Sequence, residues 1–380
     1  MAQRQGNISR VRKHVEHSYG VFPVVVSRVE RLSESFVRVS LTGPALQYAV
    51  VEVARGTGGL QDAYVKLLVP PPGQSSPVRI DLTPSWRQDW FALPETIRGW
   101  MRTYTLRASR LVVPSQTIAG KIRELPAVPD VPKAFTGELT PEPVPDNHLP
   151  EVDIDFVLHT ETDAEGAQCM GPGTRWAANA RVGDTVSLMC PFNGYSLWAS
   201  WDAGCARELI LAVDETAVPA ALSILSDYAA VPGGAGGSPR IQLIAWAPHP
   251  DDTAQALWAG AYPHLPAFAE IPGDLHTRWL TPQGETASGA QRSDMLEAAL
   301  RQTLGVAQPV MGASGSIQEP LAPDELVWGV ADDRHAQRYV FIAGEASMVK
   351  RLRRVCVWEA GLPKGQVSFM GYWRVGKTES

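Results

Sequence analysis

The chain has 380 residues, 44% of them hydrophobic, and a formal net charge of -6 at pH 7. This length is sufficient for two domains with separate hydrophobic cores. The negative net charge, with no long Lys/Arg stripe to offset it, argues against a nucleic-acid partner. No run of about 18 apolar residues occurs, and the N-terminal segment lacks the apolar centre of a signal peptide, so we expect a soluble, cytoplasmic protein with no membrane span.

Residues 21–110 contain short runs in which apolar and polar residues alternate, a pattern that predicts the antiparallel strands of a small β-barrel. Residues 111–150 are so rich in proline that we expect a surface excursion instead of a central strand or a helix interior. Strand patterns resume at "EVDIDFVLHT" and "DTVSLMCPF". The excursion therefore joins two predicted strands.

From residue 199 onward, apolar runs such as "ELILAVD", "IQLIAWAP" and "RYVFIAGE" alternate with amphipathic helical stretches. This alternation predicts a parallel sheet covered by helices on both faces. We therefore predict an N-terminal antiparallel Greek-key β-barrel domain in residues 1–198 and a Rossmann-like parallel α/β domain in residues 199–380. The segment 305–336, rich in glycine and proline, has the composition of a loop insertion.

The cysteines are far apart and form no C-x-x-C pair, so the sequence predicts no disulfide framework, zinc site or iron-sulfur cluster. We also find no His/Cys/carboxylate cluster with the spacing of metal ligands, and we predict no metal bound by the protein. The four cysteines are Cys169, Cys190, Cys205 and Cys356.

The stretch "MRTYTLR" carries polar side chains on a predicted strand. Arg102 and Tyr104 point to one face of such a strand, and Thr103 and Thr105 point to the other. Arg102 can donate charge-assisted hydrogen bonds to a diphosphate, Tyr104 offers a ring with a hydroxyl, and Thr105 offers a further donor. The alternative is an edge strand with a solvated arginine and a packed tyrosine.

A second candidate is the end of "DIDFVLH" together with the glycine-rich "GPGTRWA" that follows it. His159 falls where the predicted strand enters a loop. Gly171, Gly173 and Thr174 open a helix, and a helix N-terminus can donate backbone N–H groups to phosphate. The alternatives are a structural histidine and an ordinary turn with an N-cap.

Five segments in this order carry a resemblance: "RTYTLR", "DIDFVLH" with "GPGTRWA", "DETAVPA", "AGEASMVKRLRR" and "GYWRVG". They resemble the siderophore-interacting protein family, whose members are FAD-dependent ferric-siderophore reductases of the ferredoxin-reductase type. The segments 111–150 and 305–336 look longer than the family pattern.

The resemblance implies roles for particular residues. The FAD-binding set comprises Arg102, Thr103, Tyr104, Thr105, Val157, His159, Gly173, Thr174 and Trp176. The nucleotide-binding set comprises Asp214, Thr216, Ala217, Gly344 and Glu345, with Thr216 also beside the reacting rings as a catalytic residue. Tyr372 and Trp373 are aromatic contacts for a cofactor. Lys66 is implied as a catalytic and substrate-binding residue next to the flavin, and Arg374 and Lys377 are further cations for an anionic substrate.

The function implied by the resemblance is the reduction of ferric siderophores by NADPH or NADH through FAD, in a protein that we expect to be a monomer. Two alternatives stay open. One is a general flavin or quinone reductase on the same scaffold. The other is a flavoprotein that binds a chelate or a redox partner without turning over NAD(P)H. The motifs "DETAVPA" and "AGEAS" favour an intact nucleotide domain over the last of these.

Overall fold

The computed structural model describes residues 17–49, 59–159, 161–162, 168–230, 239–259, 267–271, 274–282, 289–306 and 328–375. The chain divides into two compact units, with the division between Ala199 and Ser200. No helix in the described ranges is both long and apolar enough to cross a membrane.

In the described part of the first unit, seven strands form one sheet in the order β4-β3-β9-β1-β2-β6-β5. The strands are β1 (Tyr19–Arg31), β2 (Phe36–Thr42), β3 (Tyr64–Val69), β4 (Trp100–Thr105), β5 (Ala108–Val112), β6 (Leu149–Val157) and β9 (Thr185–Pro191), and β7 (Glu161–Thr162) pairs separately with β8 (Gln168–Cys169). The helices are α1 (Trp86–Ala92), α2 (Glu95–Arg98), α3 (Gln116–Glu124) and α4 (Pro172–Asn179), with a 3-10 turn at Pro44–Tyr48. The pairings within the sheet are antiparallel, as the alternating sequence predicts.

Strands β2 and β6 show how the alternation divides the two faces of the sheet. Val39, Ile154 and Phe156 point into the apolar core of the barrel. On the opposite face, Arg38 lies across from Asp155, and its guanidinium donates to both carboxylate oxygens at 2.6 and 2.8 Å. A slip of one residue would move these charges into the apolar core, so the buried pair helps to specify the register.

The segment 111–150 differs in part from the sequence prediction. Residues 116–124 form the helix α3. This stretch contains no proline, and the nearest prolines, Pro114 and Pro126, lie outside the helix, where they do not break its hydrogen bonds. Ile118 and Leu125 pack on Val25 of β1 in a small apolar cluster. The expectation of no helix here was therefore wrong.

The second unit contains a six-stranded sheet, within the described residues, in the order β12-β11-β10-β14-β15-β13. Its strands are β10 (Glu208–Val213), β11 (Arg240–Trp246), β12 (Asp274–Leu280), β13 (Trp328–Gly329), β14 (Arg338–Glu345) and β15 (Val367–Trp373). Its helices are α5 (Val218–Ala230), α6 (Ala254–Trp258), α7 (Gly289–Leu304) and α8 (Ala346–Arg354). A π-helical turn at Val355–Glu359 follows α8, and 3-10 turns occur at Phe268–Glu270 and Lys364–Gln366. All strands pair in parallel except β13, which pairs antiparallel with β15.

This architecture confirms the predicted fold class, an antiparallel barrel-like sheet followed by an α/β sheet with helices. The short strand β13 makes the second sheet mixed, a detail that the sequence did not predict. The chain runs from β10 outward to β11 and β12, then returns to β14 on the other side of β10. The strand order therefore reverses between β10 and β14, and ligands of open α/β sheets bind at the carboxyl ends of strands at such a point.

Candidate functional site

The first candidate site lies where β4 meets the start of α4. Gly173 is so close to the β4 side chains that an added Cβ would lie 1.9 Å from the Tyr104 hydroxyl oxygen and 3.7 Å from Cγ of Arg102. The Thr174 hydroxyl donates a hydrogen bond of 3.3 Å to the carbonyl of Val157, the last residue of β6. The structure thus brings together residues from three separate sequence segments.

Aromatic rings line this junction. The Tyr104 ring lies 4.5 Å from the Phe156 ring, and Phe156 lies 5.5 Å from Trp176 of α4, centroid to centroid. Tyr104 and Trp176 are half-buried. Sequence reasoning did not select Phe156. It lies two residues after Ile154 on β6, so the two side chains share the core face of the sheet.

The β3–β4 pairing places the remaining predicted residues on the two faces of the sheet. Thr103 lies opposite Lys66, and the Lys66 ammonium donates to the Thr103 hydroxyl. Arg102 and Tyr104 lie on the other face, as the strand period predicts. The Thr105 hydroxyl oxygen is buried and has no hydrogen-bond partner among the described residues. Since β4 is the outermost strand of the sheet among the described residues, a ligand alongside it can contact side chains from both faces.

The other predicted residues are more scattered. His159 is half-buried and lies two residues beyond the end of β6. Tyr372 lies on β15, and Arg374 directly follows that strand; both are half-buried. Lys377 lies outside the described residues. No group of three or more His, Cys, Asp or Glu side chains in the described ranges is placed to hold a metal ion.

The second candidate site lies at the strand-order reversal between β10 and β14. The fully buried carboxylate of Asp214 accepts hydrogen bonds from the Thr216 amide at 2.9 Å and hydroxyl at 2.6 Å. Its other oxygen accepts from the Glu345 amide at 2.7 Å and from the Trp373 indole N–H at 3.1 Å. Asp214 therefore links the carboxyl ends of β10, β14 and β15.

Gly344 makes this arrangement possible. Its φ of +141° lies in a region that favours glycine, and an added Cβ would lie 2.3 Å from Cγ of Asp214. The carboxylate of Glu345 caps α8 by accepting from the amides of Ser347 at 2.8 Å and Met348 at 2.9 Å. Ala217 is fully buried. The side chains of Asp214, Thr216 and Glu345 are thus engaged within the protein.

A buried contact between Glu215 and Arg292 completes this site. Arg292 of α7 donates to one carboxylate oxygen of Glu215 at 2.7 Å, and its guanidinium carbon lies 4.9 Å from the centroid of the Trp373 ring. Both members of the ion pair are buried. Burial and then repulsion from Asp214 raise the pKa of Glu215 to about 8, against the opposing attraction of Arg292. The helical spacing of Arg292, Leu296 and Ala299 could have indicated from the sequence that Arg292 lies on the buried face of α7.

Models of known protein families match both units of the chain. A model of the siderophore-interacting protein family matches residues 206–376, and a model of the siderophore-interacting FAD-binding domain matches residues 25–118 and 111–195. The chain belongs to the siderophore-interacting protein family. The first unit of this siderophore-interacting protein contains the region matched by the FAD-binding domain, which supports FAD as its cofactor.

Two solved structures share the fold of this siderophore-interacting protein. The siderophore-interacting protein SipS from Aeromonas hydrophila is 18% identical, with a TM-score of 0.52, and the match covers 95% of this chain and 94% of that one. A siderophore utilization protein from T. fusca is 21% identical, with a TM-score of 0.53 and 95% coverage of both chains. No curated protein matches the sequence.

The residues at the β4–α4 junction fit FAD. Arg102 and the backbone N–H groups in the first turn of α4 are suitable donors for a diphosphate. The half-buried Tyr104 ring offers an aromatic surface for the ring system, and the buried Phe156 ring packs against it from the core. The buried hydroxyl of Thr105 has hydrogen-bonding capacity that the described protein groups do not use.

Proposed function

We propose that this protein is an NAD(P)H-dependent oxidoreductase that uses FAD to reduce Fe(III) in ferric siderophores and so releases the iron. The observation that carries the proposal is the β4–α4 junction, where the close approach of Gly173 to Tyr104 forms a polar and aromatic site within the region matched by the FAD-binding domain. In this proposal the FAD-binding domain comprises residues 1–198 and the donor-binding domain residues 199–380.

The first unit would hold and orient FAD. Arg102 and the start of α4 neutralise the diphosphate, Tyr104 supports the ring system, and Thr105 donates a hydrogen bond to the flavin edge. Val157, His159, Thr174 and Trp176 shape the surrounding wall. When bound, FAD supplies the conversion between a donor of two electrons and an acceptor of one, which no side chain here could supply.

The substrate site would use cations to attract an anionic ferric chelate to a protein of net charge -6. Lys66 is the candidate nearest to the flavin strand, because it pairs with Thr103 across β3 and β4. Arg374 and Lys377 are the candidates from the C-terminal segment. Their role is to bind and orient the chelate, and the electron transfer itself needs no general base.

The donor site would lie at the carboxyl edge between β10 and β14, where the strand order reverses. Thr216, Gly344 and Trp373 lie at this edge, and Asp214 holds all three elements together. The nicotinamide would bind against this edge. These residues would thus position the donor by the shape of this edge.

A second candidate function has support from the same site. The amide of Val218, the first residue of α5, donates to the carbonyl of Asp214 at 3.1 Å, and the first amides of α8 donate to Glu345. At both helix N-termini the protein itself accepts hydrogen bonds from first-turn amides, and the carboxylates of Asp214 and Glu345 lie beside them, which disfavours a diphosphate there. This favours a flavoprotein that receives electrons from a redox partner and binds no pyridine nucleotide.

An anaerobic spectroscopic titration distinguishes the two candidates. We expect the purified protein to carry a flavin spectrum that bleaches on addition of NADPH or NADH and recovers on addition of a ferric siderophore. A bound flavin that neither nucleotide bleaches, but that a ferric siderophore reoxidises after chemical reduction, would support the second candidate. A reduced flavin that no ferric siderophore reoxidises would contradict the proposed reaction.

The FAD assignment has its own test. We expect Arg102→Ala and Tyr104→Ala to remain folded but to purify with much less flavin, because the first removes diphosphate charge and the second removes the aromatic surface. The measurement is the ratio of flavin to protein absorbance, with circular dichroism as the check on folding. A full flavin complement in both variants would contradict the assignment of β4.

A further inference from the structure

The Trp373 ring is held from several directions. It lies at the end of β15, in register with Glu345 of β14, and its indole N–H donates to Asp214. One side of the ring is covered by the guanidinium of Arg292, which reaches it from α7. A tryptophan held in this way loses little further freedom when a ligand packs against it.

Arg292 and Glu215 meet through one atom of each side chain. Nη1 of Arg292 lies 2.7 Å from Oε1 of Glu215. Nε of Arg292 and Oε2 of Glu215 are buried and have no hydrogen-bond partners among the described residues. A two-point contact between the same groups would satisfy both atoms. The observed geometry forgoes this second hydrogen bond and leaves the guanidinium over the Trp373 ring.

A second buried arginine on the same helix shows the contrasting arrangement. Arg301 is 7% exposed, as is Arg292. It donates to both carboxylate oxygens of Glu359, at 2.8 and 2.9 Å. This pair has the two-point geometry expected of a structural ion pair. The two arginines match in burial and lie on the same helix, whereas the side chain of Glu359 is more exposed than that of Glu215, at 24% against 8%.

We propose that Arg292, held by Glu215, is a positioning residue that fixes the Trp373 ring as one wall of the pyridine-nucleotide site at the carboxyl edge of the sheet. This inference rests on the proposed function, since it assigns the residue to reduction of the flavin by NAD(P)H. Arg292 acts through Trp373 and needs no contact with the nucleotide. Its effect is therefore on donor binding, while the reaction with the ferric chelate is unaffected.

The test compares Arg292→Lys with the matched control Arg301→Lys, each as the FAD-loaded full-length protein. The probes are NADP⁺ and NAD⁺, whose dissociation constants are measured by titration. A guanidinium stacked on an aromatic ring contributes enough to change affinity by roughly 2- to 30-fold. We expect Arg292→Lys to weaken binding within this range and Arg301→Lys to leave it unchanged, with reoxidation by a ferric siderophore equal in both variants.

The variant Trp373→Leu tests whether Arg292 acts through the Trp373 ring. In this background the effect of Arg292→Lys on nucleotide affinity should disappear, because the ring that Arg292 positions is gone. Equal effects of Arg292→Lys and Arg301→Lys, or independent effects of Arg292→Lys and Trp373→Leu, would overturn the inference. No nucleotide binding or flavin bleaching in the wild-type protein would instead overturn the donor part of the proposed function, and the inference with it.

A readout without nucleotide tests the positioning directly. Quenching of Trp373 fluorescence by acrylamide is obtained as the difference between each protein and its Trp373→Phe counterpart. We expect Arg292→Lys to raise this quenching and Arg301→Lys to leave it unchanged. Unchanged quenching in Arg292→Lys would show that Arg292 does not hold the ring.

Discussion

The outer face of the barrel and the carboxyl edge of the α/β sheet both bury carboxylates and arginines, but Arg38 and Asp155 make a two-point contact on the barrel, whereas Arg292 and Glu215 make a one-point contact at the sheet edge. On the barrel, Asp153 accepts from the Ser40 hydroxyl at 2.6 Å and from Arg110 at 2.7 and 2.8 Å, beside the two-point pair of Arg38 and Asp155. At the sheet edge, Glu215 and Arg292 share one short contact, and each retains a buried polar atom without a described partner.

We interpret the barrel network as stabilising the fold and the pair at the sheet edge as part of a functional site. The two-point pair of the barrel stabilises one register, although Nε and Nη2 of Arg107, beside Asp155, are also buried and have no hydrogen-bond partner among the described residues, so unsatisfied atoms alone do not mark a site. Glu215 and Arg292 differ in their position, because they lie at a strand-order reversal, where ligands of open α/β sheets bind. The barrel network should therefore respond to substitution by a loss of folding stability. The sheet edge should respond by a change in binding or in pH dependence.

The largest expected effect is on the barrel network. Arg38→Met leaves the carboxylate of Asp155 buried without its two-point partner, and we expect a loss of about 3–5 kcal/mol in the free energy of unfolding. Chemical denaturation measures it. The double variant Arg38→Met/Asp155→Leu should recover part of the loss, because the Asp155 charge is removed together with its two-point partner, although the buried Arg107 then loses a carboxylate at 3.9 Å. A double variant as unstable as the single one would contradict this account.

Gly173→Ala tests the functional side of the comparison in the first unit. The new Cβ would collide with the Tyr104 hydroxyl, and displacement of either group disturbs the site between β4 and α4, so we expect most of the flavin to be lost on purification. The strain should also cost about 1–3 kcal/mol of stability. Gly171→Ala is the matched control, since a Cβ there meets no atom within 4 Å. Equal flavin content in the two variants would remove Gly173 from the site.

The next effect is on the pH dependence of stability. Because burial raises the pKa of Glu215 from its ordinary value of 4.5 to about 8, the folded protein binds an extra proton between these values. The contribution of this group to the free energy of unfolding therefore falls as pH rises through that window, with Asp214 opposing ionisation and Arg292 favouring it.

We expect Glu215→Gln to lose less stability than the wild-type protein between about pH 5 and about pH 8.5. Denaturation midpoints at the two pH values measure the difference. Glu208→Gln, which alters the pair of Glu208 with Arg338, is the control. Identical pH slopes for wild type and Glu215→Gln would show that this carboxyl group does not titrate in that window.

The smallest effect is expected at Lys66. Lys66→Ala should raise KM for anionic ferric siderophores on the order of 3- to 10-fold at low salt, and less at high salt, since a charge steers the substrate. Flavin reduction by the nucleotide should be nearly unchanged. Lys133→Ala, which removes an exposed cation paired with Asp81, is the control. An equal loss in both half-reactions would place Lys66 in the fold or the flavin site.

The helix α3 illustrates a limit of reading composition. Proline content predicted an excursion across 111–150, and the prolines do flank the helix, but nine residues between them form α3 and bury Ile118. Composition averages over a segment, whereas a helix depends on the placement of each proline. A deletion of residues 115–145 would therefore remove packing against Val25.

Local periodicity was sufficient for the sheets and for the two faces of β4. Alternation predicted that Arg102 and Tyr104 share one face, because the side-chain period of a strand is a property of the backbone alone. Continuous apolar runs likewise predicted the buried strands β10 and β14, whose residues are almost fully covered. The motif segments were enough to identify the family.

The contacts that complete the site were decided by tertiary structure. Glu215 and Arg292 are 77 positions apart, and Asp214 and Trp373 are 159 apart. They meet because the chain leaves β10, forms β11 and β12, and crosses back to β14 and β15. No local pattern encodes such a crossing, since each segment keeps the same periodicity wherever its strand is placed in the sheet. Only the packed sheet determines which buried charges share a partner and which keep one polar atom unsatisfied.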